Sequence, residues 1–103
     1  MHVQVNHVIM DGRATADEVR LPENQCWYVY ILRLSNNQTY TGCTSNLEER
    51  LFRHQSGYVP ATKSHLPVHL IFYCAFTDKY KAFEFEKYLK SGSGRAFASR
   101  HRL

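Results

Sequence analysis

The sequence predicts a small α+β domain in which helices pack against one sheet. Some apolar segments alternate as strands do, and others repeat with the period of a helix. They follow one another as strand, strand, helix, strand, helix, an order typical of the α+β class. With 103 residues, 44% of them hydrophobic, the chain suits one domain with one modest core.

The first predicted element is a β-hairpin. Residues 27–34 are rich in aromatic and β-branched side chains, residues 35–38 are turn formers, and residues 39–41 resume the strand pattern. Alternation gives the first strand two apolar faces, so we expect both to be covered: Tyr28, Tyr30, Leu32 and Leu34 on one, Val29 and Ile31 on the other. Gly42 ends the second strand and leaves room for another backbone or a ligand.

A helix is predicted from Asn46 to Gln55, with Ser45 and Glu48 forming a capping box at its start. Arg50 and His54 lie one turn apart at the edge of its apolar stripe and should point along the sheet surface. They are either functional residues or an ordinary amphipathic flank, in which the arginine stem covers apolar surface.

Residues 57–67 predict a loop that could wrap a nucleic-acid backbone. Lys63 and His65 are the basic residues of that loop. Residues 70–76 are continuously apolar and predict a buried, central strand. A second helix should begin after the cap Asp78, run to about Ser91 and be closed by Gly92. The basic segment 94–103 predicts a short further helix.

Glu86 is the strongest functional candidate in the sequence. It projects within the apolar stripe of the second helix, where a carboxylate is costly unless it is paired or binds a cation. A salt bridge, for instance with Arg50, and a metal-binding role both satisfy that requirement.

Charge separates the chain into two parts. Residues 25–103 hold eleven Lys and Arg against five Asp and Glu, whereas residues 1–24 hold two against four. We interpret residues 1–24 as a tail, either partly disordered or adding an edge strand, and residues 25–103 as the domain. The basic domain suits a polyanion such as nucleic acid, although a basic solvated surface is an equally simple interpretation.

The cysteines and the lengths of the apolar stretches favour a particular cellular location. Three cysteines without Cys-x-x-Cys spacing favour a reduced, cytoplasmic location and argue against structural zinc. We also expect neither a membrane span nor a secretory signal, because the sequence has no 18-residue apolar stretch and no leader pattern.

The order and spacing of these candidates resemble the GIY-YIG endonuclease family, over residues 27–90. Tyr30 closes the first motif, Tyr40 opens the second and Gly42 ends it, while Tyr28, Val29 and Thr41 depart from the usual motif letters. Arg50, His54 and Glu86 then occupy the positions of the family arginine, frequent histidine and glutamate. The resemblance is to the small single-domain bacterial type, similar to the N-terminal nuclease module of the excinuclease C subunit.

This resemblance implies a three-stranded antiparallel sheet flanked by helices, with the catalytic groups on one concave face. It further implies a cytoplasmic, Mg²⁺- or Mn²⁺-dependent endonuclease, a hydrolase that cuts DNA by one-metal in-line attack of water and belongs to DNA repair. Glu86 would hold the metal and Arg50 the phosphate. Tyr30, Tyr40 and His54 would act on the water, and which of them takes the proton is left open. Lys63, His65, Lys90 and Arg95 are the expected nucleic-acid contacts.

Two other functions compete with this one. The chain could be a non-catalytic or partner-dependent nucleic-acid-binding module of the same fold, because fold does not fix function. It could also be a protein-interaction scaffold, which only its composition supports. DNA is favoured over RNA through the resemblance alone, and a protein partner could supply specificity.

Overall fold

The computed structural model describes the backbone of Asn6–Ile9 and all of residues 26–103. In chain order these residues form β1 (Asn6–Ile9), β2 (Trp27–Arg33), β3 (Thr39–Thr44), α1 (Leu47–Gln55), β4 (His69–Phe76), α2 (Lys79–Leu89) and α3 (Gly92–Arg100). A short 3-10 turn, Lys63–His65, lies between α1 and β4. None of the helices in these residues is long and apolar enough to cross a membrane.

The predicted α+β class is confirmed. Strands β4, β2 and β3 form the expected antiparallel sheet, with β2 in its centre. The short strand β1 pairs in parallel with the outer side of β4, so β4 is an interior strand, as predicted. Apart from the four residues of β1, the predicted tail of residues 1–24 lies outside the described residues.

The two faces of β2 enter different cores, as its alternation predicts. Val29 and Ile31 pack with Phe72, Cys74 and Phe76 and with residues of α2 and α3. Tyr30, Leu32 and Leu34 pack on the opposite face, against Leu47 and Leu51 of α1 among others. The sheet is therefore covered by α2 and α3 on one face and by α1 on the other.

Two predicted helix boundaries were wrong. Asn46, not Ser45, caps α1, since its side-chain oxygen accepts the backbone N–H of Glu49 at 3.0 Å. Gly92 does not close α2, which ends at Leu89; it instead begins α3 behind the cap Ser91. Asn and Ser are both good N-cap residues, so neighbouring cap candidates allowed the helix to start one residue later.

Candidate active site

Tyr30 and Gly42 form the floor of the candidate site. They face each other across the β2–β3 ladder, and the Tyr30 ring lies over the backbone of Gly42. A Cβ atom at Gly42 would overlap the hydroxyl oxygen and Cζ of Tyr30. The sequence predicted close approach of a backbone or ligand at Gly42, but the group that approaches is this tyrosine side chain. The glycine thus permits one particular placement of the phenol.

His54 meets that phenol from α1. Its Nε2 lies 2.9 Å from the Tyr30 hydroxyl oxygen, and both residues are fully buried. The helical pattern predicted His54 at the edge of the apolar stripe, whereas the structure buries it completely between the sheet and the following loop. Burial, together with the charges of Arg50 and Arg53, lowers the pKa of His54 below its ordinary value of 6.5. The ring is therefore neutral near pH 7.

Thr62 completes this buried set, and sequence reasoning did not identify it. Its Oγ1 lies 2.8 Å from His54 Nδ1, and the residue has no exposed surface. Thr62 sits in the segment that was predicted only as a loop carrying Lys63 and His65. Its loop has the period of neither a strand nor a helix, so no pattern in the sequence signals that this threonine is buried.

Arg50 and Glu86 act on the Tyr30 hydroxyl in opposite directions. The donor groups and positive charge of Arg50 lower the pKa of Tyr30, whereas the Glu86 carboxylate raises it. Burial is the largest influence and, with Tyr40 close by, the outcome is a pKa raised to about 12. Tyr30 is accordingly a protonated phenol in the protein alone.

Glu86 reaches the site from the other side of the sheet. It is on α2, while Arg50 is on α1, yet both charges act on Tyr30 and on the thiol of Cys43 in β3. Since β3 is the edge strand, we infer that the two side chains converge around that edge. The Glu86 side chain is 23% exposed and forms an ion pair of 3.1 Å with Lys90, rather than with Arg50 as one sequence interpretation suggested.

Tyr40 lies beside both buried rings. Its ring centroid is 6.4 Å from that of Tyr30 and 5.1 Å from that of His54, in tilted and edge-on orientations. Tyr30, Tyr40, Arg50, His54 and Glu86 thus occupy one region.

The predicted nucleic-acid contacts are more dispersed. Lys90 joins the site through Glu86. Lys63 and His65 belong to the 3-10 turn that follows Thr62, and Arg95 is exposed on α3. Within the described residues, no hydrogen bond or ion pair joins any of these three side chains to the five catalytic candidates.

The donor set can be tested against a divalent ion. Within residues 26–103 no three His, Cys, Asp or Glu side chains come together as a metal cage. Mg²⁺ does not require one, because it commonly takes one or two carboxylates and keeps waters and substrate phosphate oxygens as its other ligands. The partly exposed carboxylate of Glu86 fits such a site.

Comparison with known proteins identifies the family of this chain. A family model described as the GIY-YIG catalytic domain matches residues 26–98. The chain belongs to the GIY-YIG family. That membership supports a nuclease-type function in general.

Relatives of this GIY-YIG chain are small bacterial UPF0213 proteins. It is 38% identical over 65 residues to one from Serratia liquefaciens, covering 62% of this chain and 64% of that protein. It is 39% identical over 67 residues to one from Vibrio campbellii, covering 64% of each chain. A third, from Syntrophus aciditrophicus, is 52% identical over 46 residues, covering 43% of this chain and 53% of that protein. The chain thus matches less than two thirds of the length of these relatives, and no solved structure matches it.

Proposed function

We propose that residues 25–103 form a metal-dependent endonuclease that hydrolyses DNA phosphodiester bonds by one-metal, in-line attack of water. The observation that carries this proposal is the buried hydrogen bond between Tyr30 and His54, 2.9 Å long, next to the opposite charges of Arg50 and Glu86. A phenol paired with a neutral imidazole is a route for a proton, and the two charges suit a phosphate and a cation.

The proton route follows from the pKa shifts. With a pKa raised to about 12, Tyr30 cannot act as a standing phenolate near neutral pH. Neutral His54 has a free lone pair that can accept the Tyr30 proton as Tyr30 takes one from the attacking water. The water becomes the nucleophile, and the proton that it loses is in effect stored on His54. This assigns the base role to the pair rather than to either residue alone.

Arg50 suits the phosphate. The positive charge of Arg50 acts on the Tyr30 hydroxyl, so a phosphate that Arg50 binds would lie near the attacking water. The planar donors of Arg50 can grip a nonbridging oxygen and stabilise the charge that develops in the transition state. Tyr40, whose ring lies near both Tyr30 and His54, is proposed to orient the water or the phosphate.

Glu86 is the proposed ligand for Mg²⁺ or Mn²⁺. Such an ion, when bound, would offset the charge of the phosphate and of the leaving oxygen. Lys90 now neutralises the carboxylate at 3.1 Å, and it would be released to a neighbouring phosphate once a cation took its place. Together with Lys63, His65 and Arg95 it would then contact the nucleic-acid backbone. A protein partner would select the target in DNA repair.

Cleavage assays with a matched pair of variants test this function. Plasmid, branched and single-stranded DNA, and RNA, would be incubated with Mg²⁺, Mn²⁺ or EDTA and with wild type, Glu86→Gln or Glu84→Gln. Glu84 lies on the same helix but is exposed, so its replacement controls for loss of one charge on α2. We expect Glu86→Gln to lose about 100-fold or more, as when one group that stabilises transition-state charge is removed.

The other outcomes separate the alternatives. Equal cleavage by all three proteins would contradict the role of Glu86, and cleavage in EDTA would contradict metal dependence. Salt-sensitive DNA binding without cleavage of any substrate would favour the binding module of the same fold.

A further inference from the structure

The imidazole of His54 makes a second hydrogen bond, which takes no direct part in the proposed proton transfer. His54 Nδ1 lies 2.8 Å from Thr62 Oγ1, on the side of the ring away from Tyr30. The backbone N–H groups of Thr62 and Lys63 both donate to the Val59 carbonyl at 3.0 Å, which fixes Thr62 in a tight turn. This side chain is thus held against the imidazole by its own backbone.

The direction of the hydrogen bonds follows from the Val59 carbonyl. A carbonyl oxygen can only accept, and the Thr62 hydroxyl donates to it at 3.5 Å. With its own hydrogen directed there, Thr62 Oγ1 accepts the hydrogen on His54 Nδ1. The unprotonated Nε2 of the neutral ring is then the acceptor for the buried Tyr30 hydroxyl, 2.9 Å away.

We propose that Thr62 is a positioning residue, which accepts the Nδ1–H of His54 and so keeps Nε2 free to receive the Tyr30 proton. The tautomer itself does not depend on any reaction, whereas its effect on the cleavage rate rests on the proposed nuclease function. Because Thr62 still accepts from Nδ1 when the ring becomes charged, it supports both forms of His54 that the reaction needs.

Thr62→Val tests this assignment because valine has nearly the shape of threonine but no acceptor. Nitrogen-15 NMR of the imidazole reports which ring nitrogen carries the hydrogen. We expect wild type and Thr62→Ser to carry it on Nδ1, and Thr62→Val to lose that preference. For cleavage we expect kcat of Thr62→Val to fall about 10- to 100-fold, the range for partners that orient a functional histidine in metal sites. KM should change little and Thr62→Ser should recover the rate, since Thr62 would touch His54 and not the substrate.

The outcomes distinguish this proposal from the nuclease function. A wild-type protein with the hydrogen on Nε2 would overturn it, even if Thr62→Val failed to fold. So would a folded Thr62→Val protein that kept both the Nδ1–H form and the wild-type kcat. If wild type cleaves nothing but has the Nδ1–H form that Thr62→Val loses, the positioning role stands and the nuclease function fails. Thr39→Val, a change at an exposed threonine of β3, should leave both measurements unaffected.

Discussion

The side chains buried on the two faces of the sheet differ in polarity. On the α2 and α3 face, Val29, Ile31 and Phe72 pack in an apolar core with aromatic edges such as the Phe72–Phe97 pair, whose ring centroids are 5.9 Å apart. On the α1 face, the buried side chains include His54 and Thr62, joined to Tyr30 by hydrogen bonds. Apolar packing dominates the core on the first face, whereas the core on the second face adds buried donor and acceptor pairs to its apolar contacts. Substitutions on the two faces should therefore have separable effects.

The largest expected effect is on the apolar face. Phe72→Ala removes a ring that is 3% exposed, and we expect the free energy of unfolding to fall by about 3–5 kcal/mol, the usual cost of such a cavity. The NMR signature of the Tyr30–His54 hydrogen bond and the cleavage rate per folded molecule should be unchanged. Urea denaturation measures the first quantity.

The control for Phe72 is another phenylalanine. Phe52 on α1 is 56% exposed, so Phe52→Ala should change stability by no more than about 0.5 kcal/mol. If Phe72→Ala also displaced the Tyr30–His54 signature in folded molecules, the two faces would not be independent. Should Phe72→Ala fail to fold, Phe72→Leu provides a milder step on the same face.

A smaller effect on stability is expected at Gly42, which packs against the buried phenol of Tyr30. The Cβ atom of Gly42→Ala would overlap the Tyr30 hydroxyl and Cζ, so the phenol must move away from its present position. We expect a loss of about 1–3 kcal/mol in stability, typical of overpacking, accompanied by loss of the Tyr30–His54 hydrogen bond and of cleavage.

Gly92→Ala is the matched control for that change. A Cβ atom at Gly92 would meet nothing within 4 Å, and the residue lies in the first turn of α3. Its replacement should be neutral or stabilising by about 0.4–1 kcal/mol, because alanine restricts the unfolded chain. A Gly42→Ala protein that kept both stability and the hydrogen bond would show that Tyr30 is not confined by this glycine.

The same contrast explains what could be predicted from sequence. The apolar face was predictable because alternation in β2 and the continuous apolar run in β4 report burial directly. The catalytic candidates were found by the resemblance and by the position of Glu86 in an apolar stripe. Those signals gave neither the full burial of His54 nor its contact with Thr62, since a loop between α1 and β4 has no period that reveals what it covers.

The resemblance implied that Arg50 and Glu86 share one face, but periodicity alone could not show how they approach each other. Periodicity places each residue on its own helix, and these helices lie on opposite faces of the sheet. Both charges nevertheless act on the Tyr30 hydroxyl, which we infer they do around the edge strand β3. The sequence left the ion-pair partner of Glu86 open, with Arg50 as one suggestion. In the structure that partner is Lys90, one turn along from Glu86.

The smallest expected effect concerns acid stability, and it tests whether hydrogen bonding holds the α1 face as proposed. The pKa of His54 is lowered by burial and by Arg50 and Arg53, from an ordinary value of 6.5 that the unfolded chain regains. Below pH 6.5 the unfolded chain therefore binds the proton more readily than the folded one, until the lowered folded pKa is reached. This contribution to stability is complete above pH 6.5 and declines as the pH falls through that window.

Urea denaturation above and below pH 6.5 would measure that decline in wild type, in His54→Gln and in His69→Gln. His54→Gln should be less stable throughout but should lose less on acidification, because the group that must charge has been removed. His69 is exposed at the start of β4, so His69→Gln should follow wild type. An acid loss as steep in His54→Gln as in wild type would mean that the buried imidazole is not the group that senses pH. The neutral Tyr30–His54–Thr62 chain would then lose its thermodynamic support, because protonating His54 would cost the folded protein no more than the unfolded one.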